Sequence, residues 1–188
     1  SELDRYMVRE VIECLEQRRK ESHPAVPVSV NLSWMDFYDE NMLEWIVSGL
    51  QCGGKEEEKM IRFEITETSL AAIGENHTWM LMRLRENGAK ILLDDFGSGY
   101  SSFGMLQDYD FDILKIDISF VRNIGVNKKT ESILRAIIDM AHQLGIRLVA
   151  EGAETEEQVA FLRENGCDYI QGYYYYKPMP QAEFLQLL

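Results

Sequence analysis

The chain has 188 residues, 46% hydrophobic and 27% charged, which suits one domain with a sizeable core. Nineteen basic residues against 32 acidic ones leave a formal charge of −13, so no basic stripe for a DNA or RNA polymer is expected. No apolar run approaches the ~18 residues of a membrane span, the start carries early charges unlike a signal peptide, and three scattered cysteines form no disulfide framework. A reducing cytoplasm, with no membrane contact by this segment, is the expected setting.

Apolar groups at Leu3, Tyr6, Met7, Val8, Val11, Ile12 and Leu15 have helical spacing over 3–17. Cys14 falls on that apolar side and is expected in the core. A polar linker follows, then a strand over 26–33. Ser33 and Asp36 fit a capping box opening one helix through Phe37, Leu43, Trp45 and Ile46 to Gly49. Residues 51–58 (QCGGKEEE) read as loop and 60–66 as a strand. A helix over 75–87 ends before Gly88. AKILLDDF (89–96) is a strand ending in two aspartates, and a short helix covers 101–107. DILKID (112–117) is a strand, and a helix spans 130–144 with Ile133, Leu134, Ile137, Ile138, Ala141 and Leu144 on one stripe. A strand over 146–152 leads to a helix reaching 165, opened by a Thr155/Gln158 capping box. YIQGYYYY (169–176) is the last strand, and Pro180 starts a terminal helix.

Six strands alternating with helices mean a parallel sheet covered on both faces, either doubly wound or a barrel. Asn31, Glu64, Asp94, Asp95, Asp117, Glu151 and Gln171 lie at or near the C-terminal ends of strands. In a barrel those ends converge on one mouth, where active sites form. The expected fold is therefore an α/β, TIM-type (β/α) barrel, incomplete, with about six of eight strands present.

Carboxylates meeting at that mouth would raise one another's pKa unless cations neutralised them. Oxygen ligands suit magnesium or manganese, and His23, His77 and His142 form no zinc-like cluster. Adjacent strand residues point to opposite faces, so Asp94 and Asp95 can share a site only where the backbone turns. That favours a metal pair sharing Asp94, of the kind that clamps an in-line phosphoryl transfer. Lys115 shares a face with Asp117; it either serves a phosphate beside the metals or pairs only with that aspartate. FGSGYSSFG (96–104) reads as a mobile loop beside the mouth, and Glu67 is placed to accept hydrogen bonds from it. Tyr173 to Tyr176, as strand residues, would alternate between helix packing and a face where a purine could stack.

The strings NLS (31–33), FEITET (63–68), DDFGSGYSSF (94–103), LKIDISFV (114–121), VAEGAETEEQ (149–158) and CDYIQGYYYYKPMP (167–180) together closely resemble the EAL-domain phosphodiesterases of bacterial cyclic-di-GMP signalling. The resemblance implies a barrel that hydrolyses cyclic-di-GMP to the linear dinucleotide with two Mg²⁺ or Mn²⁺ ions. It places Asn31, Glu64 and Asp94 on one ion, and Asp94, Asp95 and Glu151 on the second. It gives Lys115 the attacking water, Glu67 the anchoring of loop 97–103, and Glu154 and Gln171 the placement of substrate and water. Tyr174 falls in the guanine-contacting region. The family pattern departs at its Glu-Ala-Leu strand and the arginine after it, neither of which the chain contains, so 1–188 is expected to be an N-terminally truncated domain, slow by itself. Ile118 stands where a basic residue is common, and Ser98 where threonine is.

The alternative to the enzyme is a catalytically inactive domain of the same type, acting as a cyclic-di-GMP receptor or a protein-interaction module. A third reading is an unrelated barrel enzyme acting on another phosphate ester. Homodimerisation and fused or partner signalling domains, including a membrane tether elsewhere in the parent, are the remaining associations the family suggests.

Overall fold

A computed structural model of the protein describes residues 2–24, 26–52, 60–73, 79–99 and 103–188. The chain divides into two compact units, residues 1–92 with Leu188, and 93–187.

In the first unit, α1 (Glu2–Lys20) precedes β1 (Val28–Asn31), a single 3-10 turn (Trp34–Tyr38) and α2 (Glu40–Cys52). Then come β2 (Ile61–Thr66), α3 (Glu67–Ile73) and α4 (Trp79–Glu86). β1 and β2 are parallel, with Val30 opposite Phe63 and Asn31 opposite Glu64. The core is built from β2's alternation, Ile61, Phe63 and Ile65 inward, and from Leu43, Ile46, Leu50, Leu70 and Leu84 on the helices. The apolar stripe of α1 is narrower than its periodicity suggests: Val8 and Leu15 are buried, Cys14 is half-buried, and Leu3, Tyr6 and Met7 are exposed.

The single helix expected from 34 to 49 is two elements. Ser33 donates its backbone N–H to the Asp36 carboxylate at 2.9 Å, closing the expected capping box on the 3-10 turn. The chain then breaks at Asp39, whose carboxylate accepts the Met42 N–H at 3.1 Å and opens α2. That amide bond, with the Arg5 guanidinium 2.6 Å away, holds the Asp39 carboxyl below the ordinary carboxylate range. A helix over 67–73 was not legible as such; Thr66 caps it, its hydroxyl accepting the Ser69 N–H at 3.1 Å. Residues 53–58 of the expected loop and 75–78 of the expected helix, with His77, lie outside the described residues.

β3 (Lys90–Phe96) begins in the first unit and ends in the second. The second unit continues with α5 (Phe103–Asp108), β4 (Ile113–Ile116), α6 (Ile118–Arg122), α7 (Lys128–Gln143), β5 (Arg147–Glu151), α8 (Glu156–Glu164), β6 (Tyr169–Gln171) and α9 (Gln181–Phe184). β4 is buried at every position, which its unbroken ILKI run requires of a strand covered on both faces. β5 pairs in parallel with β4 and with β6, setting Lys115 opposite Val149 and Glu151 opposite Gln171. On α7, Leu134, Ile137, Ile138 and Ala141 are buried, whereas Ile133 and Leu144 at the stripe's margins are exposed. The capping box of α8 forms as expected, with Gln158 Oε1 accepting the Thr155 N–H at 3.1 Å.

The strand order is β1-β2-β3-β4-β5-β6. A doubly wound sheet reverses its order at a switch point; a sheet running in sequence order is that of a TIM-type (β/α) barrel, here incomplete. Among the described residues no helix is long and apolar enough to cross a membrane.

The last strand is shorter than expected. β6 stops at Gln171, and Gly172 O accepts the N–H groups of Tyr175 and Tyr176 in a turn. At Gly172 a Cβ would collide with the Ala153 backbone, so the residue before the tyrosines has to be glycine. The tyrosines therefore do not alternate across a strand, and all four are exposed.

Just before β6, Cys167 donates its thiol to Tyr169 O at 3.2 Å, and burial pushes its pKa up to about 11. At pH 8 the native thiol is expected to react with iodoacetamide about a hundredfold more slowly than in the urea-unfolded chain, read by peptide mapping. Because the folded pKa is the higher one, the thiol's contribution to stability is intact below pH ~9 and is lost as pH rises toward ~11. Equal labelling rates in both states would contradict the burial.

Candidate functional site

The site is built where β3 and β5 end. Asp94 is buried near the end of β3, and Asp95 follows with φ +57°, a left-handed conformation that side chains other than glycine, asparagine and aspartate avoid. That turn breaks the strand's alternation and lets neighbouring carboxyl groups serve one place. The Asp95 N–H donates to Asp94 Oδ1 at 2.9 Å, and the Ser98 N–H donates to Asp95 O at 3.0 Å. Gly97 continues the turn at φ +90°, with its α-carbon against the ring of Phe120.

Glu151 closes β5. Gly152 next to it has φ +74°, and a Cβ there would run into Ile118. Ile118, where the family pattern favours a basic residue, thus packs beneath the end of the strand that carries Glu151. Carboxylate oxygens of Asp94, Asp95 and Glu151 lie within 4.8 Å of one another. If all three are ionised, three negative charges share this space.

Lys115 projects from the buried strand β4 into the same place, with only 6% of its surface exposed. Its ammonium donates to Asp94 Oδ1 at 3.0 Å and to Glu151 Oε1 at 2.7 Å. These are charge-assisted contacts of the strong kind. The reading in which Lys115 pairs only with Asp117 is overturned. Asp117 instead caps α6, its carboxylate accepting the Ser119 N–H at 2.9 Å. Gathered around one ammonium, these three carboxylates offer the hard oxygen ligands that a divalent cation takes. Their oxygens, all within 4.8 Å of one another, are near enough to serve one ion, so the donor set fits a hard divalent cation.

The other expected residues fall as follows. Gln171 is exposed at the end of β6, in register with Glu151. Glu154 is exposed in the loop after β5, and its N–H donates to Gln158 Oε1 at 2.7 Å. Tyr174 is 42% exposed, its N–H donating to Ala153 O at 3.0 Å and its ring edge-on to Tyr175 at 5.1 Å. Asn31, at the end of β1, and Glu64, two residues before the end of β2, are register partners in the first unit, and Glu67 is buried in the first turn of α3. The loop that Glu67 was expected to anchor includes residues 100–102, which lie outside the described residues. Gly152 was not singled out from the sequence; a glycine directly after a strand-terminal glutamate was the available signal.

A family model described as "EAL domain" matches residues 1–178. A cyclic di-GMP phosphodiesterase of Pseudomonas aeruginosa, NbdA, is 34% identical over 187 residues, covering 100% of this chain and 24% of that protein. The chain thus spans about a quarter of that relative's length. The EAL domain of Mycobacterium smegmatis DcpA superposes with a TM-score of 0.89 at 30% identity, over 100% of this chain and 84% of that one. Klebsiella pneumoniae BlrP1, solved as a manganese/cy-diGMP complex, gives a TM-score of 0.76 at 26% identity, over 90% and 43%.

The left-handed turn at Asp95 yields a prediction independent of chemistry. Asp95→Gly is expected to be more stable than Asp95→Ala by about 1 kcal/mol in urea unfolding, because alanine keeps the left-handed penalty and glycine does not. Alanine proving the more stable would show that the backbone there is not left-handed.

Proposed function

The chain belongs to the EAL-domain family, and on that footing we propose that its complete parent domain hydrolyses one phosphodiester of cyclic-di-GMP, giving the linear dinucleotide. The observation that carries this reading is the convergence of Asp94, Asp95 and Glu151 around the buried ammonium of Lys115. Support comes from NbdA, named a cyclic di-GMP phosphodiesterase, and from BlrP1, which holds manganese and the cyclic dinucleotide.

Asp94, Asp95 and Glu151 would hold one Mg²⁺ or Mn²⁺ ion. Asn31 and Glu64, with Asp94, are proposed for the other, as the family resemblance implies. Bound there, the ions supply Lewis acidity and lower the pKa of a coordinated water. The ammonium of Lys115 has three donors, so it can hold a water in line with the scissile phosphorus and neutralise a phosphoryl oxygen as charge develops. The buried floor of β4 fixes the backbone that carries that ammonium, so its side chain swings from a set point beside the carboxylates. Gln171 and Glu154, at the ends of neighbouring segments, are proposed to place water and substrate, and Tyr174 to stack on a guanine. Glu67 is proposed to support the loop after Asp95.

The test uses the complete parent domain with cyclic-di-GMP. With Mg²⁺ or Mn²⁺ it is expected to yield linear product, and EDTA is expected to abolish turnover. Asp94→Asn and Lys115→Ala are each expected to lower kcat by about 100-fold or more, with the fold retained by circular dichroism. Tight nucleotide binding without turnover under either ion would replace the enzyme by a receptor.

A further inference from the structure

The ammonium of Lys115 lies on two of the three carboxylates proposed to take the ion, 3.0 Å from Asp94 Oδ1 and 2.7 Å from Glu151 Oε1. We propose that Lys115 is an internal competitor of the divalent cation. It holds the carboxylate cluster together, and an incoming ion has to displace its ammonium from Asp94 and Glu151. This inference rests on the metal reading above and adds a control on loading.

The argument is electrostatic and steric. The Asp94 and Lys115 side chains are 12% and 7% exposed, so water screens their attraction poorly, and any second cation placed beside the ammonium is repelled in the same weakly screened space. The backbone of Lys115 cannot retreat: Ile113, Leu114 and Ile116 around it are fully buried. Only the side chain can move, by rotation about its four-carbon stem. The cluster therefore keeps its shape without metal, at the cost of weaker metal binding than the bare carboxylates would give. A phosphodiester anion near the site offers the ammonium another partner. Drawing it off the carboxylates would raise their affinity for the ion, and by linkage the ion would raise affinity for the phosphodiester.

Mn²⁺ affinity, read by loss of the free-ion electron paramagnetic resonance signal, separates the possibilities. Lys115→Met is expected to bind Mn²⁺ about tenfold or more tightly than the parent protein, and to melt at a lower temperature without metal, because unopposed carboxylates repel. Lys115→Arg, which keeps the cation, is expected to bind within about threefold of the parent protein. Lys115→Gln, smaller in its disturbance of the fold, is expected to tighten binding in the same direction as the methionine variant. Mn²⁺ binding by both uncharged variants that is no tighter than binding by the parent protein overturns the competitor role and leaves the metal reading standing. No Mn²⁺ binding by the parent protein or by any variant overturns both.

Discussion

The site depends on one electrostatic constraint: carboxylates brought within a few ångströms of one another must be neutralised. Asp94, Asp95 and Glu151 are held that close by the ends of β3 and β5. Part of the neutralisation is internal, because β4 delivers the Lys115 ammonium between two of them. A hard divalent cation with oxygen ligands suits the same cluster. A cluster whose geometry is fixed by strand ends rather than by loops is a natural seat for a hard ion, since its ligands need little reordering on binding.

Local backbone chemistry produces that geometry. Asp95 adopts a conformation that aspartate tolerates and most residues do not, and by doing so it removes the alternation that would have sent its side chain away from Asp94. Gly97 carries the turn onward past Phe120, and Gly152 lets β5 end tightly over Ile118. The strain is local, and the surrounding packing of β4, whose residues are buried on both faces, holds it in place.

Much of this was legible in the amino-acid sequence because it follows from period and chemistry. The six strands, the Ser33–Asp36 and Thr155–Gln158 boxes and the gathering of acidic residues at strand ends are all patterns of adjacent letters. The Asp94–Asp95 pair was interpretable for a physical reason: consecutive strand residues cannot share a site unless the strand is ending. What was not legible depended on contacts distant in sequence. Asp39 breaks a helix by capping its second half, with Arg5, more than thirty residues earlier, beside it. β6 ends at Gln171 and the chain turns at Gly172, where the Ala153 backbone passes too close for a side chain, so the expected strand of tyrosines is an exposed turn. The partners of Lys115 were likewise hidden, since both lie on neighbouring strands and the acid nearest in sequence, Asp117, is occupied in capping α6.

The claim that this carboxylate cluster is a seat for a divalent ion is tested most directly by anomalous scattering from crystals soaked in Mn²⁺. The account predicts a manganese peak bounded by oxygens of Asp94, Asp95 and Glu151, with the Lys115 ammonium moved off at least one carboxylate. Fully soaked crystals with no peak there, and with Lys115 still seated on Asp94 and Glu151, would contradict it.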